Sequence, residues 1–283
     1  MFKLPRAPRA PKIPLAPAGT FALHNYFSAL AYLALLLGSC ITVLPRSSDY
    51  FATGGKRQRQ SSSADRPEHP WLTPITASPA STAAWCAAGV AITMTWWGAK
   101  MARWWGAPET FGQRARDALL ATAGTALLLL NALTLLGAPL SHILETALLA
   151  LTLALLTAWP VVYVLGLPGL HGDSVLARWR MTRLVCATDA HDAKERALAY
   201  PLAGTLLGAW AGAVPLALDW DRPWQSWPLT PLVGALVGFV AGGYWAFIES
   251  ALKALHQDIA DEKASEAADA AKPSARKRKN KTK

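Results

Sequence analysis

The sequence predicts an all-α fold: a polytopic transmembrane helix bundle of about six spans with disordered termini. Three observations predict it. Apolar residues make up 52% of the 283, and they are bunched into long blocks rich in Leu, Ala and Gly rather than dispersed at a surface-helix or strand period. The blocks are close to the roughly 20 apolar residues a helix needs to cross about 30 Å of hydrocarbon. The formal net charge of +10 sits between the blocks and at the two ends, as in a membrane protein, and is not spread over a surface that would grip nucleic acid.

The elements follow in order. Residues 1–20 carry Lys3, Arg6, Arg9 and Lys12 among prolines, with no apolar run before Phe21. They read as a cytosolic basic arm, not a cleavable signal peptide. The membrane domain is expected over 21–252. Its first span, Phe21–Leu44, is stopped by Pro45 and Arg46. A Ser- and Pro-rich loop over 46–80 is expected to be disordered. The second span runs from Ser81 to Ala99, and Trp96, Trp97, Trp104 and Trp105 mark an aromatic belt at its end. It is the weakest of the six because Ala and Thr replace Leu. The third and fourth, Ala118–Leu136 and Ile143–Leu165, are joined by the short turn Gly137–Leu140. The fifth is Leu198–Leu218 and the sixth Leu229–Leu252. Residues 253–283 form a charged cytosolic tail, expected to begin as a helical extension of the sixth span.

Short-loop charge sets the orientation. The N-terminal arm, the loop around Lys100, Arg103, Arg114 and Arg116, the loop from Arg178 to Arg196, and the tail from Arg276 to Lys283 are all basic. Six spans place all four on one side, taken as cytosolic, so both termini are cytosolic. The Gly137–Ser141 turn and the Asp219–Pro228 loop, poor in basic residues, fall on the other side. Lys56, Arg57, Arg59 and Arg66 do not fit, but most of them lie far from either span, which weakens their vote.

Four features stand out from the apolar background. Gly204, Gly208 and Gly212 of the fifth span, and Gly234, Gly238 and Gly242 of the sixth, recur every four residues and so share one face of each helix. Backbones approach closely there. These faces serve either to pack the two spans on each other or to dock a helix of another protein. The loop between them holds Asp219, Trp220, Asp221, Arg222, Pro223, Trp224 and Trp227. Its tryptophans suit the interfacial zone, and its prolines stop helix continuation. A charge cluster of Asp219, Asp221 and Arg222 shapes the loop or, in a catalytic reading, meets a phosphate or a divalent cation, for which the ligands are too few. The third feature is Gly137, Pro139, His142 and Glu145, where His142 and Glu145 share a helix face and a carboxylate barely enters the membrane. The fourth is Lys279 and Lys281 at the extreme C-terminus, which match the Lys-x-Lys-x-x pattern of ER retrieval or serve as a generic basic tail.

Enzyme signatures are otherwise missing: no Gly-x-Ser-x-Gly elbow, no His-Glu-x-x-His, no phosphate loop. The histidines are scattered. Cys40, Cys86 and Cys186 form no metal or disulfide framework, and small buried packing is the expected role of Cys40 and Cys86. No catalytic residue, metal or cofactor is assigned.

The run Gly208 to Gln225, with Trp227-Pro228, Gly234, Gly238-Phe239-Val240-Ala241-Gly242, and the turn Gly137 to Leu140 with Glu145-Thr146, resembles the phosphatidylinositol-glycan class F family. The detailed match covers a minor part of the chain; the span outline and basic end extend it loosely. The resemblance implies a small, non-catalytic ER membrane subunit of glycosylphosphatidylinositol (GPI) anchor biosynthesis. It implies as partners the large ethanolamine-phosphate transferase subunits, which act on GPI lipid intermediates and phosphatidylethanolamine; the small subunit meets these lipids only indirectly. The last two spans and their lumenal loop are then the expected docking surface. The alternatives are an intramembrane lipid-phosphate transferase using Asp219, Asp221, Arg222, His142 and Glu145, and a lipid carrier or scramblase. The chain departs from the family pattern in its long N-terminal arm, its 50–80 insertion and its long tail.

Overall fold

The computed structural model describes residues 22–46, 71–106, 111–167, 181–182, 190, 192–218, 220 and 222–271. Among them there is no strand. Six long helices carry the fold: α1 (Leu23–Thr42), α2 (Pro79–Trp104), α3 (Phe111–Leu135), α4 (Ile143–Leu165), α5 (Ala193–Ala213) and α6 (Leu229–Ala271). The N-terminal arm and the residues beyond 271 lie outside the described residues.

Five of the six helices are long and apolar enough to cross a membrane by length and composition; α2 is the exception. The difference is one of composition, since Ala, Thr and Gly stand where the other helices carry Leu. Its packing is nonetheless that of a through-going helix. Tyr26 near the start of α1 meets Trp97 and Trp104 at the end of α2. Cys40 near the end of α1 lies 3.8 Å from Thr93, and Gly89 faces Cys40 and Leu44. The two helices are therefore antiparallel along most of their length. Because α2 buries Cys86, Val90, Met94, Trp97 and Met101 inside the bundle, it does not need a wide lipid-facing leucine surface. Cys40 and Cys86 are both buried and free.

The directions alternate. α1 is antiparallel to α6 as well: Tyr26 Oη donates to the Gly243 carbonyl at 3.3 Å, while Leu37 and Ile41 lie beside Val233 and Leu236. The first residue of α1 and the last turns of α6 thus leave the bundle on the same side. α4 is the central helix. Of its apolar stretch 72% is buried, against 11% for α3, which touches the rest mainly through α4 and buries only Ala118 and Thr122.

Several boundaries differ from the sequence reading: α2 runs on to Trp104, five residues past Ala99, and α5 spans Ala193–Ala213 where Leu198–Leu218 was expected. α3 begins at Phe111, seven residues before Ala118. Its first turn carries Arg114, whose Nη1 donates to the Tyr163 carbonyl at 2.9 Å, so a cation satisfies the bare end of α4. α6 runs 43 residues, about 64 Å at 1.5 Å per residue, roughly twice what the hydrocarbon requires. The extension is helical as expected, and every residue from Leu255 to Ala268 is exposed. The segment expected to be disordered over 46–80 is ordered at its far end: Thr73–Thr76 forms one helical turn and α2 starts at Pro79. Local contacts explain the order. The Thr82 hydroxyl donates to the Ile75 carbonyl at 2.7 Å, and the Arg46 guanidinium lies 4.2 Å over the Trp71 ring. Residues 47–70 lie outside the described residues.

Candidate docking hairpin and its loop

The two glycine trios face each other. A Cβ placed on Gly204 would strike the Gly238 carbonyl oxygen, one on Gly208 the Gly234 carbonyl, and one on Gly212 the Thr230 carbonyl. The reverse holds for Gly234, Gly238 and Gly242, which would strike Gly208, Gly204 and Tyr200. α5 and α6 are therefore an antiparallel pair in backbone contact over three turns. No other residue type fits at these six positions, since even a methyl group has no space. Of the two readings open for these faces, the structure displays internal packing: the glycine stripes are closed to an outside helix. What the hairpin presents outward is a different surface, with Leu207 and Trp210 of α5 and Val214 just past its end more than half exposed.

At one end the hairpin is fastened by polar groups that the sequence did not single out. Arg196, counted above as a loop charge, is 3% exposed. Its Nε donates to Ser250 Oγ at 2.9 Å and its Nη1 to the Ala190 carbonyl at 3.0 Å. A buried guanidinium is tolerable only with such partners. One turn further, Tyr200 Oη donates to Glu249 at 2.6 Å, and Lys253 pairs with the same carboxylate. The Arg196–Ser250 and Tyr200–Glu249 bonds join α5 to α6 and the Lys253–Glu249 pair stiffens α6 where the glycine contact ends, while the bond to Ala190 ties Arg196 to the segment before α5.

At the other end lies the loop. α5 continues as a 3-10 turn, Val214–Ala217, and a second one covers Pro223–Gln225. Gln225 organises it. Its amide nitrogen donates to the carbonyls of Pro215 at 2.7 Å and Leu218 at 2.9 Å, while its amide oxygen accepts from the Arg222 backbone N–H at 2.8 Å. One side chain thus bonds three backbone groups where the helix breaks: it satisfies the Arg222 N–H and adds a second donor to the Pro215 and Leu218 carbonyls, which also accept from the Leu218 and Trp220 N–H groups. Trp220 and Trp224 pack edge to face, 5.8 Å between centroids, and Trp220 is 57% exposed. Pro223 supplies the first residue of its turn, and the Trp227–Pro228 bond is cis. Asp219 and Asp221 lie outside the described residues, so the expected charge cluster with Arg222 is not part of the described site.

The third motif meets this loop. Gly137, at φ +102°, ends α3 in a left-handed turn closed by Ala138 N–H to the Leu133 carbonyl and Gly137 N–H to the Thr134 carbonyl. Pro139 leads into the 3-10 turn Leu140–His142, and His142 Nδ1 stands 3.4 Å from Glu145 on the exposed face. The junction is made by their neighbour Thr146. Fully buried, it donates to the His142 carbonyl at 2.9 Å and accepts from the Trp227 indole N–H at 3.0 Å. The two motifs, 81 residues apart, are thereby tied to one end of the bundle. The Thr73–Thr76 turn also packs against Pro223–Gln225. Gln225 and Thr146 stood inside the quoted motifs, yet only the fold reveals what they hold. Lys279 and Lys281 lie outside the described residues.

Comparison with known proteins points one way. A model described as "GPI biosynthesis protein family Pig-F" matches residues 23–247. The glycosylphosphatidylinositol anchor biosynthesis protein 11 of Aspergillus fumigatus is 46% identical over 125 residues, 44% of this chain and 36% of that one. The protein of the same name from Pyricularia oryzae is 41% identical over 113 residues, 40% and 38% of the two chains. The human "GPI ethanolamine phosphate transferase, stabilizing subunit" is 38% identical over 107 residues, 38% and 45%. The aligned stretches thus take in less than half of each of these relatives. No solved structure matches.

Proposed function

The chain belongs to the GPI biosynthesis protein family Pig-F, and from that premise we propose that it is a non-catalytic stabilising subunit of ethanolamine phosphate transferases in the ER membrane. Its partner is the large catalytic subunit, and its contact with GPI intermediates and phosphatidylethanolamine is indirect. The observation that carries the reading is the match over nearly the whole helical region, together with the similarity to the human stabilizing subunit. The organisation of the hairpin supports it. A scaffold needs a rigid element with an unpaired outer surface. α5 and α6 are locked backbone to backbone, while Leu207, Trp210 and Trp220 point away from the bundle. Docking is assigned to that outer surface and the loop, with the glycines acting from within by fixing its shape.

The loop end faces the ER lumen and both termini face the cytosol, as the basic short loops require. The basic arm over 1–20 and the tail over 253–283 are then cytosolic, and Lys279 and Lys281 serve as a retrieval signal.

The test is co-purification in mild detergent. Trp210→Ala with Trp220→Ala should leave the chain folded but lower recovery of the large subunit about tenfold or more, as hot-spot aromatics do. Recovery at the unaltered level would place the docking surface elsewhere. The chain purified alone should show no ethanolamine-phosphate transfer; transfer by it would reject the non-catalytic reading.

A further inference from the structure

Over the second half of α1 its seam with α2 is closed. A Cβ on Gly89 would press into Cys40 and Leu44, and Leu33, Leu37, Cys86 and Val90 are buried around it. Towards the side where α1 begins, the same seam opens into a cleft of about 260 Å³. Asn25, Ser28 and Tyr32 of α1 form one wall, and Trp96, Lys100 and Trp104 of α2 the other. Spacings of three and four residues put each set on a single helix face. The cleft lies within the first turns of α1 and the last turns of α2, the depth of lipid headgroups and upper acyl chains.

The walls are fixed. The Trp104 ring meets the Tyr26 ring at 5.9 Å and the Trp97 ring at 6.2 Å, both edge-on, and Trp96 lies 6.2 Å from Trp97. Tyr26 and Trp97 are each 1% exposed. Lys100 lines the cleft one turn from Trp96 and one from Trp104, and among the described residues no carboxylate pairs with it. The Asn25 side chain also makes no hydrogen bond among the described residues. α1 opens without a side-chain cap, so the positive end of its dipole adds to the ammonium. A cation and an amide donor, held between rigid indoles without an acidic partner, suit a phosphate oxygen. Below the cleft, exposed Leu36 lies one turn beyond Tyr32 and exposed Ile92 one turn before Trp96. They extend the site as an apolar track towards the bilayer centre.

We propose that this cleft binds the phosphate of a glycerophospholipid from the leaflet on the α1 N-terminal side, with an acyl chain along Leu36 and Ile92. A soluble anion would use the ammonium but leave the track idle, and a cationic ligand would meet Lys100 unfavourably. The site lies at the opposite end of the bundle from the loop that holds Trp220, and it does not rest on the stabilising role proposed above.

The experiment uses the full chain in a maltoside detergent, which contains no phosphate, with a phosphatidic acid carrying a diazirine on one acyl chain. After irradiation, label should concentrate on peptides spanning Tyr32–Leu36 and Ile92–Trp96. Lys100→Gln should lower it about fivefold, while Lys100→Arg keeps most of it because the charge and donors remain. Thermal unfolding checks that Lys100→Gln is folded. Equal labelling of Lys100→Gln, or equal labelling by a diacylglycerol with the same diazirine, overturns the proposal. Suppression by inorganic phosphate at matched ionic strength identifies a free-phosphate site instead and overturns it too.

Discussion

The two hairpins of this bundle, α3–α4 and α5–α6, are built on opposite plans. α3 and α4 are rich in leucine and joined by a tight Gly137 turn, yet α3 leaves Leu119, Leu120, Leu127 and Leu128 more than half exposed. α5 and α6 have fewer leucines and meet through bare backbone at six glycines. In water the leucine-rich pair would be the better packed, because burial removes apolar surface from solvent. In lipid, tails are as apolar as Leu, so that drive vanishes and close approach decides which helices stay together. Hydropathy marks what enters the membrane; small side chains mark what touches what.

Four measurements bear on this contrast. The largest effect is expected for Gly208→Leu with Gly238→Leu. Each side chain must occupy the space of an opposing carbonyl, so the hairpin should separate, destabilising the fold by about 4 kcal/mol or more. Reversible unfolding in mixed micelles measures it, and a change below about 1 kcal/mol would mean that the backbone contact is dispensable. Next is Gln225→Ala. It removes three bonds to the loop backbone, leaving the Arg222 N–H without its side-chain acceptor, and should cost about 2 kcal/mol, read as faster amide exchange over 215–229 with the helical cores unchanged. Unaltered exchange there would remove Gln225 from its organising place. Third, a double-mutant cycle on Trp227→Phe and Thr146→Val should return a coupling of about 1 kcal/mol, the value of one buried neutral hydrogen bond. Zero coupling would detach the loop from α4. The smallest effect is expected for Leu127→Ala with Leu128→Ala: within about 0.5 kcal/mol, since both side chains already face lipid. A loss of several kcal/mol would show that α3 is gripped by something beyond this chain.

Much of this was legible in the residues. The apolar blocks place all six helices, and the four-residue glycine period places both faces of α5 and α6. The Trp/Pro run marks the loop, and Gly137 the turn. The missing parts have physical causes. Periodicity names a face but not its partner, so the glycine trios left both an internal contact and an external one open. Arg196 counts as a charge whether it is solvated or buried, and only the nearness of Ser250 and the Ala190 carbonyl distinguishes the two. Gln225 is an ordinary polar residue in a polar loop until the carbonyls of Pro215 and Leu218 converge on it. The order over 71–80 comes from Arg46 on Trp71 and Thr82 on Ile75, contacts with no periodic trace. Asp219, Asp221, Lys279 and Lys281 stay as the sequence left them.

The unbroken length of α6 has a consequence for anything attached to it. One rod of hydrogen bonds joins the loop at its first turn to the solvent-exposed residues near Ala268. Removing a single residue between Leu255 and Ala268 would swing everything beyond it by about 100° around the axis and draw it in by about 1.5 Å. Removing seven would nearly restore the azimuth. A binding face on the far end would therefore be lost and regained with the period of the helix itself.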